Sequence, residues 1–262
     1  MIRSPIGLRL SVNGDVKANL REAARLGAKG VIFDAAGELG PERLSESGRR
    51  DLRHTLRSVE LSLIALSLPT RRAFDSEDQL EHRLSRAEGA FTLAYELGAR
   101  MVVARVGGVP PEDEPKRLAT FKLALSELAR RSGHRGIRFA IETGPDSGEV
   151  LRTFLDALGQ PDLAASVDPG SLISAGLDPV SSTRALGPWV AHAYATDATG
   201  QGRAPGIIQQ RRSGFPAGAL DWEEYLGSLE EIDYRGYLTV WPDPAGDVPE
   251  QARTIIDRLK QF

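Results

Sequence analysis

Short apolar runs alternate with longer amphipathic stretches along the whole chain. The runs have the length and the β-branched content of buried strands, whereas the stretches between them repeat apolar residues at helical spacing. The predicted strands are Ile6 to Ser11, Gly30 to Asp34, Leu61 to Ser67, Met101 to Val106, Arg138 to Glu142, Leu163 to Asp168, Val190 to Ala195, and Tyr237 to Trp241. Helices are predicted between them, for example Val16 to Leu26 and Gln79 to Leu97. This alternation is typical of parallel βα units and indicates an α/β fold.

A weak internal repeat supports this assignment. The segments Glu22 to Ile32 and Ala94 to Val103 are two copies of one helix-to-strand joint, in which Gly27 and Gly98 close the helix. Glycine suits that position because it adopts a left-handed conformation without steric cost. Such repetition favours a (β/α)8 barrel, although an open doubly wound sheet could use the same joint. No Gly-x-Gly-x-x-Gly follows the first strand, which disfavours the nucleotide-binding form of that sheet.

Length and composition narrow the class of protein. The chain has 262 residues, of which 41% are hydrophobic, so residues 1–262 can form one barrel-sized domain. It contains no cysteine, which excludes disulfides and thiolate ligands. The formal net charge of −3 gives no general attraction to nucleic acid or to anionic lipid. No apolar stretch approaches the length of a membrane helix, and we expect a soluble, cytoplasmic protein.

Two carboxylates end neighbouring predicted strands, namely Glu142 on the fifth and Asp168 on the sixth. Two adjacent, partly buried anions require a neutralising partner, which can be a cation, a proton or an arginine. Arg105 ends the fourth strand, next to the fifth in a barrel, and is the preferred candidate for a bridge to Glu142. Arg9 on the first strand is the second choice. Either arginine could instead be a salt-bridged residue that fills the barrel interior.

Three motifs resemble those of the xylose isomerase-like TIM barrels. They are Ala140-Ile-Glu-Thr-Gly-Pro, Ser166-Val-Asp-Pro-Gly-Ser-Leu and Leu220-Asp-Trp-Glu-Glu-Tyr-Leu, and the resemblance extends over most of the chain. That family includes sugar-phosphate isomerases, ketose 3-epimerases, inosose dehydratases and endonuclease IV-type repair enzymes. The resemblance implies a (β/α)8 TIM barrel, and the alternative is another α/β barrel family with similar joints.

The resemblance also implies a divalent cation, such as Mn²⁺, Mg²⁺ or Zn²⁺, held by Glu, Asp, His and Glu from strands five to eight. Glu142 and Asp168 match the first two ligands. Tyr194 takes the place of the histidine and Trp241 that of the last glutamate. An indole offers no lone pair and a neutral phenol binds metals weakly, so we expect an incomplete, degenerate metal site.

His192 is the remaining histidine of the seventh strand. Residues 192 and 194 share one face, so His192 points inward but lies about 6.6 Å deeper than Tyr194. It could reach a cation only through a bulge or a shifted register. The favoured interpretation is an inward-facing polar residue that is hydrogen-bonded to neighbours such as Ser166.

The family's epimerases use two glutamates, one to take a proton beside a carbonyl and the other to return a proton on the opposite face. Only Glu142 remains here, and it is the predicted catalytic residue. With Trp241 in the second position, two-base epimerisation is not expected, whereas one-base isomerisation or elimination stays open.

Six side chains are predicted to bind a sugar-like ligand. They are Tyr194, Trp241, Asp197, Arg203, Asp34 and Arg105. Aromatic faces can stack on a sugar ring, and charged groups can hold its hydroxyls or an anionic substituent. In the alternative interpretation, the two aromatic residues plug the barrel mouth in the absence of a metal, and Asp34 caps a helix or loop.

Three functions follow as hypotheses. The first is a sugar or sugar-phosphate isomerase, epimerase or dehydratase relative with an altered site. The second is a non-catalytic, metal-free barrel that binds a carbohydrate-like ligand or a partner protein. The third, an endonuclease IV-like repair enzyme, requires more metal ligands and a basic face, and the four histidines and negative charge argue against it. The loop Gly200 to Gly218 could form a homodimer contact or a lid.

Overall fold

The computed structural model describes residues 4–10, 14–196, 220–242 and 247–262. In these ranges eight parallel strands close into a barrel in sequence order, and β1 pairs with β8 to complete the ring. The strands are β1 Ile6–Leu10, β2 Gly30–Asp34, β3 Ser62–Ser67, β4 Met101–Ala104, β5 Arg138–Glu142, β6 Leu163–Val167, β7 Val190–Ala195 and β8 Leu238–Val240. The predicted α/β class and (β/α)8 TIM barrel are therefore confirmed.

Helices connect the strands and surround the barrel. In the described ranges they are α1 Val16–Arg25, α2 Glu46–Ser58, α3 Leu80–Leu97, α4 Pro115–Gly133, α5 Gly148–Leu158, α6 Pro169–Ser174, α7 Pro179–Leu186, α8 Trp222–Glu231 and α9 Val248–Leu259. Short 3₁₀ helices occupy Gly37–Leu39 and Gly187–Trp189. None of the helices described here combines the length and the apolar character that a membrane span requires.

The repeated helix-to-strand joint has the predicted geometry. Gly27 and Gly98 have φ angles of 91° and 90°, in the left-handed region that favours glycine. The backbone N–H of Gly98 donates to the carbonyls of Ala94 and Tyr95, which satisfies the end of α3. The chain can therefore leave the helix and enter the next strand within a few residues.

Alternation along each strand separates two apolar cores. Val31 and Phe33 of β2 pack in the large core between barrel and helices, whereas Ile32 belongs to a smaller cluster of strand residues in the barrel interior. Arg9 lies between Leu8 and Leu10, both of which belong to the outer core. Its side chain therefore points into the barrel.

The carboxyl ends of the strands differ from the prediction in ways that concern the site. β4 ends at Ala104, two residues before the predicted end at Val106, and β8 covers only Leu238–Val240. Arg105 and Trp241 consequently lie just beyond their strands, at the mouth of the barrel. The last residue of the predicted first strand, Ser11, lies outside the described residues.

Candidate functional site

Arg9 lies at the centre of the barrel mouth, and its guanidinium donates hydrogen bonds to oxygens from four other strands. Nη1 lies 3.0 Å from Glu142 Oε1 and 2.8 Å from the Tyr194 hydroxyl. Nη2 lies 3.1 Å from Asp34 Oδ1 and 2.7 Å from Ser67 Oγ. The Tyr194 hydroxyl in turn donates to Glu142 Oε1 at 2.8 Å. Two carboxylates and two hydroxyls therefore surround one buried cation.

The surroundings keep this arginine charged and this tyrosine protonated. Burial by itself would lower the pKa of Arg9, but the neighbouring Tyr194, Glu142 and Asp34 raise that pKa above its ordinary value. Burial raises the pKa of Tyr194 well above its usual range, and the carboxylate of Glu142 adds to the effect while Arg9 opposes it. The phenol therefore acts as a hydrogen-bond donor to Glu142 and has no role as a base at neutral pH.

Trp241 covers the guanidinium of Arg9. The Cζ atom of Arg9 lies 3.6 Å from the centroid of the indole ring, and the ring of Tyr194 is 5.4 Å from it. A guanidinium at this distance from an aromatic ring makes a favourable cation–π contact. Trp241 is only partly buried, so its indole retains surface that a ligand can reach. Tyr194 is fully buried, and its predicted contact with a sugar would require Arg9 or Trp241 to move.

Arg105 forms a second, looser cationic contact with the same carboxylates. Its Nε lies 3.5 Å from Glu142 Oε2, and its Nη2 lies 3.4 Å from Asp168 Oδ2 and 2.9 Å from Ser171 Oγ. Arg105 therefore contacts Glu142 as predicted. The predicted order of preference was wrong, however, because Arg9 makes the shorter ion pair with Glu142 at 3.0 Å.

The order is reversed because an arginine side chain is long enough to cross a barrel, so adjacency of strands does not decide which cation reaches a carboxylate. The available signal was the position of Arg9 within the apolar run Ile6 to Leu10. An inward-facing charge in such a run must find a buried counter-charge. Ser67, at the end of a predicted strand, was not among the predicted site residues.

Asp168 is held by the start of α6. Its Oδ1 accepts from the Thr196 hydroxyl at 2.6 Å and from the Ser171 backbone N–H at 3.3 Å. Its Oδ2 accepts from the Ser171 hydroxyl and from Arg105. Asp168 is thus the N-cap residue of α6, and its side chain lies within a complete set of donors.

His192 lies below Tyr194, as strand periodicity predicts. Its Nδ1 is 2.8 Å from Ser166 Oγ and its Nε2 is 2.8 Å from Thr239 Oγ1, so both ring nitrogens are hydrogen-bonded to hydroxyls. Burial lowers the pKa of His192 to about 3, with the charge of Arg9 acting in the same direction. A Cβ at Gly7 would lie 2.8 Å from Thr239 Oγ1, so the glycine provides room for this pair.

These residues do not fit a divalent cation. Each oxygen of Glu142 faces a guanidinium, and the oxygens of Asp168 accept from the donors at the start of α6. Within the described ranges, no group of three or more His, Asp or Glu side chains could hold a metal ion. Two arginines supply positive charge beside the two carboxylates of the predicted, incomplete cation site.

The remaining predicted binding residues divide into two groups. Asp34 lies at the mouth, is 45% exposed at its side chain and pairs with Arg9. Asp197, Arg203 and the proposed dimer loop Gly200 to Gly218 lie outside the described residues. Their roles, and the ligand contacts of the other four residues, remain predictions.

Comparison with known proteins supports the fold at this point. Residues 20–262 match the model of a family described as xylose isomerase-like TIM barrel. A xylose isomerase domain protein from Planctomyces limnophilus superposes with a TM-score of 0.79 at 19% identity, covering 98% of this chain and 95% of that one. None of the curated proteins compared with the chain matches it significantly.

Two sugar epimerases have similar structures. D-psicose 3-epimerase from Clostridium cellulolyticum H10, solved with D-tagatose, gives a TM-score of 0.78 at 14% identity over 98% of each chain. The 3-keto-D-glucoside 4-epimerase of E. coli gives 0.76 at 13% identity, over 99% of this chain and 100% of that one. At these identities the likeness concerns the fold.

Proposed function

Because the chain belongs to the xylose isomerase-like TIM barrel family, we propose that its barrel mouth binds a sugar or a related hydroxy-carbonyl compound and isomerises it without a metal ion. The observation that carries the proposal is the pair of arginines around Glu142. Arg9 and Arg105 lie 3.0 Å and 3.5 Å from its two carboxylate oxygens. The site thus keeps a carboxylate and gains cationic groups at the position of the family's chemistry.

We place the proposed ligand against the groups of the mouth that have accessible surface. Trp241 is partly buried, and the side chains of Asp34 and Arg105 are 45% and 31% exposed. An indole face packs against the apolar face of a sugar ring, while the carboxylate and the guanidinium bind its hydroxyls and its carbonyl oxygen. Tyr194 supports this surface from below through its contact with the indole.

Glu142 and Arg105 have separate roles in the proposed isomerisation. Glu142 takes a proton from the carbon next to the carbonyl, and the electron pair moves onto the carbonyl oxygen. Nη1 of Arg105 has no partner among the described residues, and it is free to donate to that oxygen as its negative charge develops. The proton of the adjacent hydroxyl passes between the two oxygens of the resulting enediolate, and Glu142 then returns its proton to the former carbonyl carbon, so that the carbonyl moves to the neighbouring position. A single base acting on one face produces an aldose–ketose interconversion, whereas inversion at carbon needs a second base.

Deuterium exchange tests the proposal directly. The protein is incubated in D₂O with a panel of aldoses and ketoses in the presence of EDTA, and ¹H NMR follows exchange of the proton next to the carbonyl. We expect exchange for at least one sugar, no loss of exchange with EDTA, and loss of exchange in Glu142→Gln. Glu149→Gln, an exposed change in α5, is the matched control and should keep exchange.

The second candidate function is a non-catalytic barrel that binds a sugar-like ligand. It is favoured by the burial of Glu142 and by the hydrogen bonds that Arg9 and Tyr194 make to the same oxygen, because these contacts occupy one of the two oxygens that could accept a proton from a ligand. A sugar that raises the melting temperature but undergoes no exchange would support this function and contradict the isomerase.

A further inference from the structure

The guanidinium of Arg9 occupies a cage of four oxygens. They are Glu142 Oε1, Asp34 Oδ1, Ser67 Oγ and the Tyr194 hydroxyl, at distances between 2.7 and 3.1 Å from Nη1 and Nη2. Each terminal nitrogen carries two protons, so these four contacts use all four of them. The side chain of Arg9 is 8% exposed. The terminal nitrogens therefore have no N–H left for a ligand.

The cage is assembled from different parts of the barrel and is closed from above. Its oxygens belong to β2, β3, β5 and β7, while the cation enters from β1. Trp241, which follows β8, places its ring centroid 3.6 Å from Cζ. The pocket thus offers two carboxylates, two hydroxyls and an aromatic face, all of which favour a positive charge.

We propose that these residues form a cation site in its own right and that Arg9 is its permanent, covalently attached occupant. The site differs from the metal site implied by the family resemblance, because it shares only Glu142 with that set and leaves Asp168 to α6. A tethered cation cannot dissociate, so the charge at the mouth is independent of metal supply. Removing the side chain of Arg9 should leave a vacancy that recognises a free guanidinium-type cation.

Chemical rescue tests this inference without any sugar. Arg9→Ala removes the atoms that ethylguanidinium restores, so this ion is the probe, added at millimolar concentration. Ethylammonium is the control ion because it carries the same charge on a single nitrogen, and sodium chloride matches the ionic strength. Arg43→Ala is the control variant, since Arg43 forms an exposed ion pair with Glu38. Melting temperature and tryptophan fluorescence are measured for both variants and for the wild type.

We expect Arg9→Ala to melt roughly 10 °C below the wild type. Ethylguanidinium should recover part of this loss and change the tryptophan emission, and ethylammonium should recover less. Neither ion should affect the wild type or Arg43→Ala. A variant that melts like the wild type, or one that ethylguanidinium does not restore, would overturn the inference.

A second pair of variants covers the case in which Arg9→Ala does not fold. Arg9→Lys keeps the charge, and Arg9→Met keeps much of the length without it. The lysine variant should melt higher than the methionine variant, and equal melting temperatures would refute a cation-selective cage. Stoichiometric Mn²⁺ binding to the wild type that is lost in Asp34→Asn would also refute it, because the cage would then hold a metal. Since no measurement here includes a sugar, failure of the rescue leaves the proposed isomerase activity untouched, whereas Mn²⁺ binding in the cage would also contradict its metal-free form.

Discussion

Two arginines contact the same carboxylate at the mouth of this barrel, yet they are placed in opposite ways. Arg9 is 8% exposed, and its terminal nitrogens contact four oxygens at 3.1 Å or less. Arg105 is 31% exposed, its two ion pairs are 3.4 and 3.5 Å long, and its Nη1 has no partner among the described residues. Both terminal nitrogens of Arg9 are fully used, whereas one terminal nitrogen of Arg105 has no partner in the part of the chain that the structure describes.

Although the two arginines lie within a few ångströms of the same carboxylate, we expect them to contribute differently to stability. A buried charge that is fully paired is costly to disturb, because loss of one partner leaves the other uncompensated. The ion pairs of Arg105 are longer, water competes for its partly exposed guanidinium, and the two buried carboxylates keep other donors, so we expect these pairs to contribute less to stability. We therefore expect Arg9 to contribute mainly to the stability of the mouth, and the proposed ligand contact of Arg105 to depend little on that contribution.

The largest effect is expected when the carboxylate shared by both arginines is removed. Glu142→Ala should lower the free energy of unfolding by about 3–5 kcal/mol, because it leaves Arg9 buried without its main counter-charge. Glu142→Gln should cost less, since its amide oxygen can still accept from Arg9 and Tyr194. Urea denaturation measures both, with Glu149→Ala as the exposed control. Equal losses in Glu142→Ala and the control would contradict the expected contribution of Arg9.

We expect the next largest loss of stability at low pH, and we attribute it to the buried His192. The pKa of His192 falls from an ordinary 6.5 to about 3 on folding, so between these pH values the unfolded chain binds a proton that the folded chain does not. Stability therefore falls as the pH is lowered through this window, by on the order of 1.4 kcal/mol per pH unit. Comparison of unfolding at several pH values in the wild type and in His192→Gln isolates this contribution from that of the carboxylates. Parallel curves would show that His192 is not the source.

Tyr194→Phe probes a single hydroxyl of the cage. The change removes an acceptor for Arg9 and a donor to Glu142, and it should cost about 1–3 kcal/mol in the free energy of unfolding. Tyr95→Phe is the matched control because Tyr95 is exposed. Thermal and urea unfolding of the two variants give the comparison, and a neutral Tyr194→Phe would mean that the hydroxyl is replaceable by water.

Arg105→Ala should have the smallest effect on stability and the clearest effect on binding. Its ion pairs are long, its guanidinium is partly exposed and its carboxylate partners keep other donors, so we expect a loss of less than about 1 kcal/mol in the free energy of unfolding. Affinity for a sugar found by melting-temperature screening should fall at least roughly tenfold, because a charged hydrogen bond to the ligand is lost. Calorimetric titration measures this, with Arg43→Ala as control. Unchanged affinity with a large loss of stability would invert the roles of the two arginines.

The fold was predictable because its signal is repeated along the chain. Alternating runs such as Gly30 to Asp34 define strands, and glycines such as Gly98 mark where helices end. Boundaries at the barrel mouth were less accurate. β4 ends at Ala104 and β8 ends at Val240. The residues that follow, Arg105 and Trp241, contact the site at the mouth instead of continuing the strands.

Which strand-end residues lie together at the barrel mouth was easier to predict than the contacts they make. Glu142, Asp168, Tyr194 and Trp241 come from strand ends, whose positions follow from the fold. The partners of Arg9 do not follow from the fold in this way, because the contacts of a side chain that crosses a barrel depend on the three-dimensional arrangement of several strands. The positions of Ser67 and Asp34 in one hydrogen-bond set depend on the curvature of the closed sheet, which no local pattern encodes.

The contacts of Arg9 also constrain how the chain can assemble. Its partners lie 25, 58, 133 and 185 residues away in sequence, so the nearest belongs to the next strand and the farthest to the seventh. A half-barrel that contains β1 to β4 would expose or bury this charge without Glu142 and Tyr194. In the amino-terminal half alone, the charge of Arg9 would lack two of its four partners. This dependence couples the two ends of the chain and opposes stable folding of either half alone.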